Sequence, residues 1–329
     1  MKGRIVPMSH FPISKSFLER DAIARRIEEE YGLENVACQL ITTTLRDVFL
    51  VTSSQGRHIL YIYRYGQRSA DEIAAEWQYV DYLHDSGLPV APAVPRGSGG
   101  YLLSFLAPEG IRYGVLTRFA EGVILRKRPS AAAVRAYGQI IARIHALSDV
   151  MPFTLNRPII DFEKIIRQSV TAFENEVFDR LDDLAYLLES AEILQAKIPE
   201  LSKEKLSYGM IHGDVIRANA LVADDGRVTI LDFDFCGFGW RAYDVASYLL
   251  TIRNTPQEKD FEKAFLEGYE EVRPLAVEEK QALSLFEAIR AVFSIGIPAM
   301  NIEHWGSQYF YAFVDADLAA LRRSMSQIS

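Results

Sequence analysis

Apolar residues recur at helical spacing in two segments near the start of the chain and through most of its C-terminal part. The segment 15–31, which Gly32 follows, carries Leu18, Ile23 and Ile27 on one face and predicts a helix. The same period predicts helices over 69–87, 130–147, 161–190, 259–273, 277–296 and 307–326.

Runs of β-branched and aromatic residues predict strands, most of them before residue 120. The runs 45–52 and 57–64 flank the turn sequence SSQG, and 115–119 lies between two glycines. Two short runs, 219–222 and 228–233, flank DDG. We therefore predict an α+β protein with two lobes: a small antiparallel-sheet lobe at 1–116 and a larger, mainly helical lobe at 117–329.

Composition and charge narrow the class of protein. The 329 residues are 49% hydrophobic and 24% charged, as in ordinary globular proteins, and the net charge of −8 disfavours nucleic acid and anionic membranes as partners. The two cysteines, Cys38 and Cys236, form no metal-binding or disulfide pattern, which favours a reducing, cytoplasmic setting. The apolar stretch 291–300 contains Gly296 and Pro298 and is too short to span a bilayer. We expect a cytoplasmic protein.

Five polar or glycine residues with a distinctive spacing lie within 21 positions: His212, Gly213, Asp214, Asn219 and Asp232. Phosphoryl transfer needs a carboxylate beside the acceptor hydroxyl and hard oxygen ligands for Mg²⁺ on the nucleotide phosphates. The interval from Asp214 to Asn219, followed by a further aspartate, matches the order of these groups in protein kinases. The motif therefore predicts a phosphotransferase site.

Around this motif the chain resembles the aminoglycoside phosphotransferase and choline kinase group, which also includes homoserine-kinase-like and stress-response kinases. LSYGMIHGDVIRANALV is similar to the group's catalytic loop, VTILDFDFCGFGWRAYDVA to its metal-binding segment and YGQIIARIHAL to its middle helix. HILYIYRYGQRSADEIAAEWQYVDYLHDSGLPV resembles its N-terminal strand and helix, and FLEGYEEVRPL a late helix. The resemblance covers most of 35–275 and implies a bilobal protein-kinase-like fold, with the nucleotide covered by the first lobe.

The resemblance also implies roles for individual residues. Asp214 would be the catalytic carboxylate, and Asn219 and Asp232 would hold Mg²⁺. The hinge near the adenine would be 117–121, and Glu76 would be the acid of the N-terminal helix. The candidate nucleotide-binding residues are Thr43, Thr44, Tyr61, Arg64, Glu76, Thr117 and Phe119.

Two features depart from the family pattern. Tyr61 stands where such kinases usually carry a lysine or arginine that binds the nucleotide phosphates, so another basic residue must reach in or nucleotide binding is weakened. Arg64, three positions along the strand, would point to the opposite face. The expected phosphate-covering turn, ITTTLRDVF, has no glycine and offers the Thr43 and Thr44 hydroxyls and backbone amides instead.

Three further residues are candidates for the substrate site, each with a simpler alternative. Arg217 fits a phosphate or an anionic substrate, or equally a salt bridge to a carboxylate. Asp234, expected on one strand face with Asp232, is either a second metal ligand or a solvated acid. Trp305 belongs to an aromatic cluster that either receives a substrate cation or packs in the core.

Other polar residues near the motif favour structural roles. We expect His212 to brace backbone carbonyl groups and His145 to be a packed, hydrogen-bonded core histidine. Asp244, in RAYDVASYL, is expected to cap or anchor the next helix and to brace the catalytic loop.

These observations predict an enzyme that transfers the γ-phosphoryl group of ATP, with Mg²⁺, to a hydroxyl of a small molecule. The surplus of acidic residues suits an amine-bearing metabolite or an aminoglycoside-like antibiotic, although it equally suits a solvated helix face. The alternatives are a protein serine/threonine kinase of the same group and a catalytically weak pseudo-enzyme with a binding role. The sequence leaves the acceptor, the choice of ATP or GTP and the oligomeric state open.

Overall fold

A computed structural model describes residues 13–328 of the chain, which folds into two compact units. Within the described residues, one unit contains 13–74 and Ala93–Phe119, and the other contains Ala75–Pro92 and 120–328. The predicted fold class is confirmed, because the first unit is built on an antiparallel sheet and the second is mainly helical. The predicted functional lobes 1–116 and 117–329 stay a prediction.

The first unit is an antiparallel sheet with one helix. Helix α1 is Arg20–Tyr31, and the strands are β1 Ala37–Thr43, β2 Arg46–Ser53, β3 Gly56–Tyr63, β4 Leu102–Ala107 and β5 Gly110–Arg118, in the order β1-β2-β3-β5-β4. Helix α2, Ala70–Asp85, follows β3, and the boundary between the units falls within it. Strands β1 and β4 were not predicted.

The period of two in β3 separates a core face from a polar-aromatic face. Leu60 and Ile62 are fully buried in a cluster that includes Ile23 and Ile27 of α1. Because successive side chains of a strand point to opposite faces, Tyr61 lies on the face away from that cluster.

The second unit contains eight further helices and two small sheets in its described part. The helices are α3 Ala131–Asp149, α4 Phe162–Glu176, α5 Leu181–Lys197, α6 Arg241–Ile252, α7 Glu258–Glu270, α8 Val277–Met300, α9 Ile302–Trp305 and α10 Ser307–Met325. The sheets pair β10 Gly237–Trp240 with β7 Tyr208–Ile211, and β8 Ala220–Val222 with β6 Val123–Ile124 and β9 Val228–Ile230.

The single helix predicted over 161–190 is wrong, since the chain forms α4 and α5 with a break between them. Val177 is extended and buried, whereas Phe178 and Leu181 are exposed, so the apolar stripe does not continue across the break. Asp182 and Asp183 lie in the first turn of α5, where acidic residues favour a helix start. No glycine or proline marks the break in the sequence.

The predicted end of a helix at residue 296 is also wrong, because α8 continues through Pro298 to Met300. Within the described residues, α8 is the one helix long and apolar enough to cross a membrane. In its most apolar window 78% of the residues are buried inside the protein, as in the central helix of a folded core. Its neighbours include α4, α6 and α10.

Helices α3 and α7 pack closely through two glycines. A Cβ atom at Gly138 would lie 2.2 Å from the Phe265 carbonyl oxygen, and one at Gly268 would lie 2.1 Å from the Arg135 carbonyl oxygen. The close approach places Tyr269 of α7 against His145 of α3. This pair supports the loop that carries the sequence motif.

Candidate active site

The loop between β7 and β8 carries His212, Gly213, Asp214 and Asn219. Gly213 has a φ of 80°, and a Cβ atom there would lie 2.3 Å from the Phe235 carbonyl oxygen. Both constraints select glycine at this position. The residue before Asp214 is therefore fixed by the backbone and not by chemistry.

Asp244, on α6, holds the backbone of this loop through hydrogen bonds. Its Oδ1 accepts a 2.8 Å hydrogen bond from the Gly213 amide, and its Oδ2 accepts one of 2.8 Å from the His212 amide. The prediction that Asp244 braces the loop is confirmed, although it lies inside the first turn of α6 and does not cap the helix.

The charge of Asp244 is kept by hydrogen bonds in a fully buried position. Burial opposes ionisation, but the His145 Nε2 at 2.9 Å and the loop amides hold the pKa of Asp244 below its ordinary value. Burial lowers the pKa of His145 to about 4. His145 is therefore neutral near pH 7, and its Nδ1 lies 2.8 Å from the Tyr269 hydroxyl. It is the packed core histidine that was predicted.

His212 braces the backbone, as predicted. Its Nε2 lies 3.0 Å from the Leu231 carbonyl oxygen, and its Nδ1 accepts a 3.2 Å hydrogen bond from the Asp214 amide. Both ring nitrogens are thereby used in holding the loop, and the catalytic role of the Asp214 carboxylate stays a prediction.

The Asp214 carboxylate is held at both oxygens. Asn219 Nδ2 donates to Oδ2 at 2.6 Å and to the Asp214 carbonyl oxygen at 3.0 Å. Arg290 Nη2, on α8, donates to Oδ1 at 2.6 Å. Sequence reasoning missed Arg290, because it lies 76 positions away inside an apolar helix where no motif marks it.

The two predicted metal ligands present suitable oxygens. Because Asn219 uses Nδ2 on Asp214, its Oδ1 is the amide atom left for another partner. Asp232 is partly buried with a φ of 66°, a left-handed conformation rare outside glycine. Among residues 13–328 no group of three or more His, Cys, Asp or Glu side chains forms a metal cluster. Two protein oxygens suit Mg²⁺, which otherwise takes phosphate and water ligands.

The expected strand under Asp232 is wrong, since β9 ends at Ile230. Asp232 and Asp234 therefore do not share a strand face. Asp234 is buried at the following turn, and its carbonyl oxygen accepts a 2.6 Å hydrogen bond from Arg157 Nη2. Its location disfavours a solvated acid, and its role in a substrate site stays a prediction.

In the first unit, Tyr61 has a basic neighbour from the adjacent strand. Arg46 opens β2 and pairs with Tyr63, two residues along β3 from Tyr61. The Arg46 guanidinium lies 4.1 Å from the centre of the Tyr61 ring, well within cation–π range, and Arg46 Nη1 donates to the Tyr63 hydroxyl at 3.2 Å. The face that lacks the usual lysine thus carries a guanidinium, which sequence reasoning did not identify.

The turn between β1 and β2 is anchored without glycine. Thr43 Oγ1 donates to Asp47 Oδ1 at 2.5 Å, and Asp47 Oδ2 accepts from Arg112 Nη2 at 2.6 Å. Burial raises the pKa of Asp47, but Thr43 and Arg112 outweigh it and hold that pKa below its ordinary value. Arg64 donates to the Thr44 carbonyl oxygen and feels the charge of Asp47, on the core side and not beside Tyr61.

The remaining predicted nucleotide residues occupy separate places. Thr117 is buried in β5, where Oγ1 donates to the Ile59 carbonyl oxygen at 3.3 Å. The Phe119 ring lies 4.1 Å from the Arg57 guanidinium carbon. Glu76 is fully buried in α2. Their contact with nucleotide stays a prediction.

Arg217 forms no salt bridge to a carboxylate within residues 13–328, and its role in a substrate site stays a prediction. Its Nη2 donates to the Thr251 carbonyl oxygen, and burial lowers its pKa. It therefore ties the loop between β7 and β8 to the end of α6.

The aromatic cluster near Trp305 divides into core and surface parts. Phe310 is buried with its ring 5.7 Å from that of Phe173, whereas Tyr309 and Tyr311 are exposed. Trp305 packs edge-to-face on Tyr309 at 5.0 Å, and its buried Nε1 has no hydrogen-bond partner within residues 13–328. The role of Trp305 in a substrate site stays a prediction.

Asp317, one of the residues that sequence reasoning missed, lies two turns beyond Tyr309 on α10. Burial raises its pKa to about 6, and the positive charge of Arg290 acts in the opposite direction. The nearby Tyr309 feels its negative charge. In the described chain it has neither a hydrogen-bond nor an ion-pair partner, so it is an acidic group available to a cation.

Comparison with known proteins identifies the class to which this fold and loop belong. Residues 40–276 match the phosphotransferase enzyme family, so the chain belongs to that family. Homoserine kinase of Rhizobium meliloti is 30% identical over 247 residues, covering 72% of this chain and 70% of the relative. The resemblance predicted from the motif is confirmed.

Solved structures show the same fold. The structure of the microcompartment-associated aminopropanol kinase has a TM-score of 0.75 at 22% identity and covers 94% of this chain and 98% of its own. Amicoumacin kinase hAmiN, in complex with AMP-PNP, Ca²⁺ and Ami, has a TM-score of 0.74 at 18% identity, with coverages of 94% and 93%. The chain is thus an ATP-dependent phosphotransferase with a protein-kinase-like fold, and its predicted enzyme class is confirmed.

The buried His145 predicts a pH-dependent stability. The unfolded chain protonates this histidine near pH 6.5, whereas the folded chain protonates it only near pH 4. Between these values the unfolded state binds more protons, so the free energy of unfolding should fall as pH is lowered from 6.5 to 4, by at most about 1.4 kcal/mol per pH unit for this group. Urea unfolding of wild type and His145→Gln across this range measures it. Equal slopes for the two proteins would contradict the assignment.

Proposed function

We propose that this enzyme transfers the γ-phosphoryl group of ATP, with Mg²⁺, to a hydroxyl of a small amine-bearing molecule. The observation that carries the proposal is the Asp214 carboxylate, which Asn219 and Arg290 hold at its two oxygens, each at 2.6 Å. A carboxylate fixed in this way can orient an acceptor hydroxyl and accept its proton.

The remaining roles follow from the same loop. Asn219 and Asp232 would hold Mg²⁺, which would neutralise charge on the nucleotide phosphates. Asp214 would orient the acceptor hydroxyl, while Asp244 and His145 would keep the loop backbone in position. Catalysis would then consist mainly of positioning and charge compensation.

An amine on the acceptor is supported by two independent observations. The homoserine and aminopropanol kinases to which the chain is similar act, by their names, on amino alcohols. Asp317 is partly buried without an ionic partner in the described chain, and Trp305 and Tyr309 lie on the same part of the protein. An ammonium group would compensate the Asp317 charge, and the aromatic rings would add cation–π attraction.

Arg46 supports nucleotide binding despite Tyr61. Its guanidinium lies over the ring of the residue that replaces the usual basic side chain, on the same face of the sheet. A guanidinium presents several donors to phosphate oxygens and stays charged at every physiological pH. We therefore assign Arg46 to the nucleotide phosphates, with Tyr61 as the surface that positions it.

The acceptor proposal predicts turnover with small amino alcohols. We expect ADP release with Mg²⁺, ATP and amino alcohols such as homoserine or aminopropanol, and much less with the matching alcohols without the amine. Asp214→Asn should lower kcat by about a hundredfold or more, because the hydroxyl loses its proton acceptor, while ADP affinity stays. A coupled ADP assay measures turnover. Phosphate appearing on serine or threonine of a protein substrate, with none on any small acceptor, would contradict the proposal.

Asp317→Asn should have opposite effects on stability and on amine recognition. The raised pKa means that the folded state binds the Asp317 proton more tightly, so stability falls as pH rises from 3.8 to about 6 and the full loss is present above pH 6. The variant should melt at higher temperature at pH 7.5 but not at pH 3.5, and KM for the amino alcohol should rise about ten- to a hundredfold. Melting curves and initial rates measure both. An unchanged KM would remove Asp317 from the acceptor site.

The phosphate contact proposed for Arg46 should also form from a lysine placed at position 61. Arg46→Gln should weaken Mg·ATP binding about ten- to a hundredfold, the loss expected of a hydrogen bond between charged groups. Tyr61→Lys in the Arg46→Gln background should restore much of the affinity, because it places a cation on the same face. Arg322→Gln is the matched control, since that arginine also stacks on a tyrosine, with its guanidinium carbon 4.8 Å from the centre of the Tyr186 ring. Isothermal titration measures the affinities, and equal losses in both single variants would contradict the assignment.

A further inference from the structure

Within the described residues, only part of the Arg290 guanidinium forms hydrogen bonds with the protein. It lies on α8 with 7% of its surface exposed, and Nη2 donates to Asp214 Oδ1 at 2.6 Å. Its Nη1 is buried and has no hydrogen-bond partner within residues 13–328. The charge of Asp214 and, after it, the nearby Tyr243 hydroxyl hold the pKa of Arg290 above its ordinary value against burial, but Tyr243 forms no hydrogen bond to Nη1.

A buried donor without an acceptor is costly. Leaving a charged N–H unpaired in the interior costs more than the bond itself stabilises, so such groups usually meet a ligand, an ion or ordered water. The two Nη atoms belong to one rigid, planar fork. A ligand oxygen bound at Nη1 would therefore contact the same fork that holds the Asp214 carboxylate, beside which the acceptor hydroxyl is expected.

Charge compensation also favours a ligand at Nη1. The Asp214 carboxylate and the oxygens of a phosphoryl group are both anionic, and their close approach is repulsive. A guanidinium that contacts both offsets this repulsion and keeps the carboxylate in place as the phosphoryl group arrives. Asp317 of α10, which feels the charge of Arg290, is itself anionic and cannot serve.

We infer that Arg290 is a catalytic residue whose Nη1 donates to an oxygen of the phosphoryl group in transit while its Nη2 holds Asp214. The inference rests on the proposed function. In the step, the acceptor oxygen forms a bond to phosphorus, the bond from phosphorus to the ADP oxygen breaks with its electron pair leaving on ADP, and the hydroxyl proton passes to Asp214. Arg290 keeps all its protons and supplies charge and direction.

The test compares two probes on the intact protein. Mg·ADP lacks the transferred group, whereas Mg·ADP with aluminium fluoride mimics it. Arg290→Gln should bind Mg·ADP as wild type does, and its affinity for the aluminium fluoride complex should fall about ten- to a hundredfold. Arg290→Lys, which keeps the charge but not the fork, should lose less and should also guard against a failure of Arg290→Gln to fold.

Arg253, which directly follows the end of α6, provides a matched control. Arg253 is a largely buried arginine paired with Glu287 of α8 at 2.5 Å, and Arg253→Gln should lower the melting temperature without changing the ratio of the two affinities. Equal losses for both probes in Arg290→Gln would overturn the inference and leave Arg290 as a structural residue.

Two further outcomes are informative. One shows which ligand supplies the oxygen at Nη1, and the other tests the proposed function itself. If Arg290→Gln kept both probe affinities but raised KM only for an acceptor that carries a carboxylate, Nη1 would bind the acceptor and the phosphoryl assignment would be overturned. If wild type bound neither probe, the proposed function itself would fail. The experiment therefore distinguishes failure of the site from failure of the enzyme assignment.

Discussion

Two consecutive backbone amides, those of His212 and Gly213, are fixed by one buried carboxylate, and the geometry of the whole loop follows from this contact. Asp244, which lies on α6, accepts both hydrogen bonds, and His145, on α3, donates a third to the same carboxylate. Because burial alone would neutralise an aspartate, the charge of Asp244 survives only while these donors stay in place. The fold of the second unit and the position of Asp214 are therefore stabilised by the same interaction.

Asp214 itself shows how the site balances charge. It is nearly buried, yet Arg290 pairs with one oxygen and Asn219 donates to the other. A buried carboxylate with one cation and one neutral donor remains an acceptor of fixed direction, which suits a group that orients a hydroxyl. The same arginine offsets the negative charge of the buried carboxylate, so the ion pair lets Asp214 stay charged inside the protein.

The sequence predicted the parts of the site that lie close together along the chain. Asp214 and Asn219 are five positions apart in one loop, so their spacing implies contact. Arg290 and Asp317 lie far along the chain, in helices whose apolar period predicts only burial. The α4–α5 break escaped detection because no glycine or proline marks it, and the end of β9 because its apolar run continues past Ile230. Propensity predicts elements, but tertiary contacts decide where they end.

The position of Arg46 beside Tyr61 follows from the register of the sheet. In an antiparallel pair, a residue and its diagonal neighbour on the next strand share a face, so a long side chain on β2 can reach the space above a β3 residue. Arg46 does this, since its guanidinium covers the Tyr61 ring while its own cross-strand partner is Tyr63. Position 61 taken alone offers no cation. The register shows that a residue of the neighbouring strand brings a guanidinium to the same face.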